Sequence, residues 1–229
     1  MERCMIKAVI FDLFETLITE WGHEKYTKLK MSEELRVPYE QFDAAWESLE
    51  TQQYRGGITY EDSLRHVCRV LSVPVEEDVI ARMSARRRET KAACFDHMLP
   101  EIVPMLEELR RRGYRIGILS NCSGEEVDVI RESVLVPLTD HIVLSHETGL
   151  CKPERGIYQL AADGLGVQPE ECVFIGDGGS RELYGAENIG MKPYRAMWYV
   201  RRMPNPVREQ PEFKKLEKPA DVLNIPELM

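Results

Sequence analysis

Asp12 stands where an apolar run, Ile6 to Phe11, comes to an end. The run is β-branched and aromatic and lacks two-residue alternation, the pattern of a strand buried on both faces. An acid just past such a strand lies at the edge of an open parallel sheet, where ligands bind. Asp is equally at home as a helix cap or a turn residue, so the rest of the chain has to decide. Three later runs end the same way. Tyr114 to Leu119 leads into Ser120 and Asn121; His141 to Leu144 leads through Ser145 to Cys151-Lys152-Pro153; Cys172 to Ile175 leads into Gly176-Asp177-Gly178-Gly179-Ser180. A carboxylate, a hydroxyl, an ammonium and a second carboxylate, converging on one sheet edge, are the equipment of phosphoryl transfer through a covalent aspartyl intermediate.

With these residues in this order, the chain resembles the haloacid dehalogenase-like hydrolases. Their four motifs are Asp-x-x-x-Thr, a strand ending in Ser or Thr, Lys-Pro, and Gly-Asp followed by a second acid. Here they are Asp12 with Thr16, Ser120, Lys152-Pro153, and Gly176-Asp177 with Glu182, and the match spans about residues 6–197. The runs 152–158 and 176–183 are similar to the subgroup whose cap is inserted after the first motif. The resemblance implies in-line attack by Asp12 on phosphorus, with Lys152 and Mg²⁺ neutralising the equatorial oxygens and Ser120 donating a hydrogen bond. It implies a metal site made of Asp12, Asp177, the backbone carbonyl of Phe14 and, through a bound water, Glu182. Thr16 orders the loop at the substrate, and Asn121 is as plausible a polar contact as Ser120, which could instead cap the helix near Gly124. Glu182 lies one residue later than the commonest spacing, so Gly178-Gly179 must absorb the offset.

One departure bears on the chemistry. The family's phosphatases carry a second Asp two residues after the nucleophile, which protonates the leaving oxygen; here that residue is Phe14. General acid–base catalysis contributes on the order of 10² to 10⁴-fold, so a chain with Phe14 needs a good leaving group or a substitute acid. Glu15 is adjacent but points elsewhere. The family's dehalogenases also carry an aromatic there, because halide leaves without a proton, but they lack the Gly-Asp pair. A Mg²⁺-dependent phosphatase of a small phosphorylated metabolite is therefore the first expectation. A 2-haloacid dehalogenase, or a protein that binds a phospho-ligand or a partner without turnover, is the alternative.

The elements needed to position these residues can be read from the pattern. Strands alternating with amphipathic helices over 229 residues, 43% hydrophobic, suit an α/β, Rossmann-like parallel sheet with one inserted helical domain. The expected division is a core of residues 1–18 and 96–229 and a four-helix cap of residues 19–95. Within the cap, Tyr26-Leu29-Met31-Leu35, Phe42-Ala45-Trp46-Leu49 and Leu64-Val67-Cys68-Leu71 recur at helical spacing. Such a cap selects substrate and excludes water. By position and chemistry, Trp21, His23, Lys25, Tyr54 and Arg55 are its candidate contacts, set against plain packing and solvation. Helices are expected over 100–112, 125–132, 156–162 and 180–188, a last strand over 192–200, and an extended tail holding Pro204, Pro206, Pro211 and Pro219.

A net charge of -9 and a pI near 5.2 argue against a general nucleic-acid or anionic-membrane partner. The triplets Arg86 to Arg88 and Arg110 to Arg112 read as solvated helix faces. No apolar run approaches the ~18 residues of a membrane span, and no signal segment precedes the first strand; a cytoplasmic protein is expected. Six cysteines without Cys-x-x-Cys spacing read as reduced thiols. The sequence names a reaction class rather than a substrate or an oligomeric state.

Overall fold

The computed structural model describes residues 5–203 and 209–229. Strand β1 (Ala8–Phe11) is followed by five helices: α1 (Lys28–Glu34), α2 (Tyr39–Glu47), α3 (Glu50–Tyr54), α4 (Tyr60–Val70) and α5 (Glu77–Asp96). Then come α6 (Ile102–Arg111), β2 (Arg115–Ser120), α7 (Gly124–Arg131), β3 (His141–Leu144), α8 (Ser145–Thr148) and α9 (Arg155–Gly164). The chain closes with β4 (Cys172–Gly176), α10 (Glu182–Asn188), β5 (Lys192–Ala196) and β6 (Lys214–Leu216). The six strands form one parallel sheet ordered β3-β2-β1-β4-β5-β6, with β1 bonded to both β2 and β4. This is the expected α/β, Rossmann-like core. Strand order reverses between β1 and the strands flanking it, so the ends of β1, β2 and β4 meet at the crevice where such sheets bind ligands.

Every residue of β1 and β4 is buried, as their unalternating apolar sequences require. Val9, Phe11, Ile116 and Ile118 pack with α6 on one face of the sheet; Ala8, Ile10 and Phe174 pack with α9 and α10 on the other. The helices between β1 and α6 hold a third cluster of their own, centred on Tyr26, Met31, Phe42, Leu64, Val67 and Met83.

The structure departs from expectation in four places. Five helices rather than four lie between β1 and α6, because α3 is short and polar and has no apolar stripe to announce it. The last core helix starts at Glu182 rather than Ser180, since Ser180 and Arg181 adopt left-handed backbone with φ 49° and 53°. Strand β5 ends at Ala196, and a 3-10 turn follows at Val200–Arg202. The tail does not simply lie across the core: Lys214–Leu216 adds a sixth strand beside β5, and Pro219 opens a 3-10 turn to Asn224. Pro204, Pro206 and Cys4 lie outside the described residues. Among the described residues, Cys68, Cys94, Cys122, Cys151 and Cys172 are free thiols, and no helix is long and apolar enough to cross a membrane.

Candidate active site

The strand ends bring the four sequence motifs together. Asp12 follows β1 and its N–H donates to Ile175 O of β4 at 2.8 Å, which fixes the first acid beside the loop of the second. Asp12, Asp177 and Glu182 each place a carboxylate oxygen within 4.8 Å of the others. Lys152 reaches into this group: its Nζ donates to Asp12 Oδ1 and, at 2.6 Å, to Glu182 Oε2. All four residues are buried, none more than 6% exposed. Burial works against the charge on Lys152, but Asp12 and then Glu182 overcome it and raise its pKa, so it stays an ammonium. Asp177 is pushed up to about 6, first by burial and then by Asp12. Burial and the same neighbour drive Glu182 well above the carboxylate range.

Three carboxyl groups crowd one ammonium, and the upward shifts of Asp177 and Glu182 mark negative charge without a sufficient counter-ion. Hard oxygen donors with an unmet charge fit a small divalent cation, and the cluster could hold one.

Local structure explains each position. Thr16 Oγ1 donates to Asp12 Oδ2 at 3.3 Å, and the Thr16 carbonyl accepts Trp198 Nε1 at 2.8 Å, which ties the first loop to the segment after β5. Gly178, Ser180 and Arg181 all have positive φ; this left-handed stretch takes up the extra residue before Glu182. Glu182 Oε1 then accepts the Gly178 N–H at 3.1 Å, and Tyr158 Oη donates to the Glu182 carbonyl at 2.9 Å. A side-chain carbon at Gly176 would collide with Glu182 Oε1, so this turn needs glycine. Arg195 Nε and Gln210 Nε2 brace the same loop through the carbonyls of Asp177, at 3.0 Å, and Gly178, at 2.8 Å.

Ser120 is buried at the end of β2, and its hydroxyl is 3.4 Å from the Asn121 carbonyl. The cap of α7 is Ser123 rather than Ser120: the Ser123 N–H donates to Glu126 Oε2 at 3.0 Å. Asn121 turns its amide to the Lys152 main chain, accepting from N–H at 2.8 Å and donating to the carbonyl at 3.1 Å.

Phe14 sits against the sheet cluster, and Lys91 Nζ lies 4.3 Å from its ring centroid. Glu15 offers no carboxylate to the site. Its oxygens accept Thr19 Oγ1 at 2.6 Å and the Glu20 N–H at 2.9 Å.

Beyond Phe14 lies a buried charge network that the sequence did not announce. Arg87 and Lys91, one turn apart on α5, face Glu125 and Glu126 on α7: Arg87 Nε is 3.2 Å from Glu125 Oε1 and Nη2 is 3.5 Å from Glu126 Oε1. Lys91 bridges Glu126 and, at 2.5 Å, Glu20. Arg87 is therefore an exception among the arginines read as solvated, while Arg86 and Arg88 do face solvent. The signal available was the Arg87/Lys91 spacing of four, on one helix face, opposite the acidic first turn of α7.

The network lines a cavity of about 380 Å³ that also touches Phe14, Asn121 and Ser180, residues adjoining three of the motifs. A neighbouring cavity of about 440 Å³ reaches Lys152 and shares Tyr54, Asn121 and Ser180 with the first. Tyr54 is thus on both walls. Arg55 donates to Gly149 O at 2.9 Å and pairs with Glu154 at 2.5 Å. Lys25 Nζ sits 3.3 Å over the Trp21 ring, and His23 stacks on His97 at 4.6 Å.

A family model for haloacid dehalogenase-like hydrolases matches residues 6–190. The chain is 27% identical over 236 aligned residues to a glyceraldehyde 3-phosphate phosphatase of Methanopyrus kandleri, covering 96% of this chain and 97% of that one. It is 31% identical to an (S)-2-haloacid dehalogenase of a Pseudomonas species over 118 residues, 50% of this chain and 47% of the other. Among solved structures, an L-2-haloacid dehalogenase superimposes with a TM-score of 0.62 at 24% identity, covering 96% of this chain and 98% of that one.

Proposed function

We propose, starting from the fact that this chain belongs to the haloacid dehalogenase-like hydrolases, that it is a metal-dependent phosphatase of a small phosphorylated metabolite. The observation that carries this reading is the cluster of Asp12, Asp177 and Glu182 around one ammonium. Two further buried acids, uncompensated by a cation, would repel the anionic 2-haloacid of a halide displacement.

In this reading an Asp12 oxygen attacks phosphorus, the ester P–O bond breaks, and water then cleaves the phosphoaspartate to regenerate the carboxylate and release phosphate. Lys152, held charged between Asp12 and Glu182, stabilises the transferring oxygens. Ser120 donates to one of them, Thr16 orients Asp12, and Asn121 acts by fixing the Lys152 main chain. A Mg²⁺ ion held by Asp12, Asp177, the Phe14 carbonyl and Glu182 would supply the missing positive charge at the phosphoryl group. Phe14 leaves the departing oxygen without a carboxylic acid, so turnover is fastest for leaving groups that need no proton. The helices of residues 19–95 act as a cap. Asp12 and Lys152 are nearly inaccessible, and a cavity shared with Tyr54 of the inserted helices reaches Lys152.

Phe14 also favours a second reading, 2-haloacid dehalogenation through an Asp12 ester. One assay separates the two: p-nitrophenyl phosphate and a 2-haloacid, each with Mg²⁺ or with EDTA. Mg²⁺-dependent release of p-nitrophenol, lost in Asp12→Asn, supports the phosphatase; halide release that survives EDTA supports the dehalogenase and overturns our reading.

A further inference from the structure

The carboxylate of Asp12 is held at both oxygens. Lys152 Nζ donates to Oδ1, and Thr16 Oγ1 donates to Oδ2 at 3.3 Å. Where the threonine hydroxyl stands depends on the loop that carries it, and that loop is constrained. The N–H groups of Thr16, Leu17 and Ile18 all converge on the Leu13 carbonyl, at 3.3, 2.8 and 3.1 Å. Glu15, inside the same turn, has φ 58°, left-handed backbone that a residue with a side chain adopts at a cost. A carbonyl has two lone pairs, so three donors cannot all be well aligned on it. Such a turn persists where its surroundings over-determine it.

Part of that hold comes from the far end of the chain. Trp198, two residues past β5 and buried, donates its indole N–H to the Thr16 carbonyl at 2.8 Å. A buried indole N–H normally finds an acceptor; here the acceptor is the peptide of the residue that touches Asp12. The next residue, Tyr199, is also buried, and its Oη accepts the Leu99 N–H at 2.8 Å. Leu99 lies on the crossing that returns from the inserted helices to α6. Two adjacent side chains thus grip two segments, and Trp198 grips the one that carries the contact to Asp12.

We propose that Trp198 is a positioning residue for the reaction at Asp12. By fixing the Thr16 carbonyl it sets the Thr16 side chain, and Thr16 in turn sets the orientation of the carboxylate against Lys152. The inference rests on Asp12 as the reacting group, which the phosphatase and dehalogenase readings share.

The test compares p-nitrophenyl phosphate kinetics of the wild type with Trp198→Phe, Thr16→Val, the double variant and Tyr199→Phe. Trp198→Phe is expected to lower kcat by roughly 10- to 100-fold, the scale for a reacting group displaced by about 1 Å, with KM little changed. In the double variant the losses do not multiply, because both substitutions break one chain of contacts. Tyr199→Phe loosens the same segment away from Asp12 and leaves kcat close to wild type. An unchanged kcat in Trp198→Phe, multiplying losses, or an equal loss in Tyr199→Phe overturns the inference. If Trp198→Phe fails to fold, benzothienylalanine at position 198, which keeps the double ring and replaces the N–H by sulfur, takes its place with the same expected fall. If the wild type does not hydrolyse the ester, the phosphatase reading fails separately and a crystal structure of Trp198→Phe decides this inference. A Thr16 hydroxyl still bonded to Asp12 Oδ2 overturns it, and loss of that bond upholds it.

Discussion

Phe14 is the residue on which the chemistry turns. In the proposed reading it stands in place of a general acid, and the ammonium of Lys91, which lies over its ring, is already committed to Glu20 and Glu126. Substituting Phe14→Asp is expected to raise kcat for an unactivated alkyl phosphate by about 10²-fold or more, the low end of general-acid catalysis, while p-nitrophenyl phosphate changes little. Equal effects on both substrates would show that proton delivery is not what the site lacks. The residues at strand ends were legible in the sequence because each acid, hydroxyl or lysine interrupts an apolar run, and β1, β2 and β4 do carry Asp12, Ser120 and Asp177 to one edge. The charge network was not legible. Arg87 and Lys91 have the same types and spacing as an exposed helix face, and only the packing of α5 on α7, segments far apart in the chain, buries them. The bonds of Asn121 to the Lys152 main chain depend on a turn that sequence does not describe.

At the scale of elements, α5 is the beam that joins the inserted helices to the sheet. It carries Ile80 and Met83 into the cluster of the helices between β1 and α6, then Arg87 and Lys91 against α7, then Cys94 into the sheet cluster. Lys91 holds two carboxylates, and removing it leaves Glu126 buried without its closest cation. Breaking a buried pair from one side costs about 3–5 kcal/mol, so Lys91→Ala is expected to lower Tm by roughly 6–20 °C in a chain of this size. Arg88→Ala, which removes an exposed partner of Glu61, is expected to cost under about 1 kcal/mol. Equal Tm losses in a thermal melt would contradict the burial assigned to Lys91. Helices with an apolar stripe were readable; α3, lacking one, was missed. The left-handed residues before α10 were anticipated only as an offset that had to be absorbed somewhere near Gly178-Gly179.

At the scale of the whole molecule, the sheet gathers four motifs on one edge, and the helices between β1 and α6 meet it through the contact of α5 with α7. The 3-10 turns and β6 of the tail complete the sheet's far side, and Gln210 and Arg195 reach back to steady the Asp177 loop. The order β3-β2-β1-β4-β5-β6 puts the strand that leads to Asp12 at the centre, which the unalternating β1 sequence already implied; the sixth strand, only three residues long, carried no comparable pattern. Everything proposed for function depends on Asp12 becoming phosphorylated during turnover. The most direct measurement is to quench a phosphomonoester reaction with acid during steady turnover and map the labelled phosphate by peptide mass spectrometry. A hydroxylamine-labile phosphate on the peptide containing Asp12, absent in Asp12→Asn, is the expected result. Turnover with Asp12 unmodified, or with the label on any other residue, would contradict it.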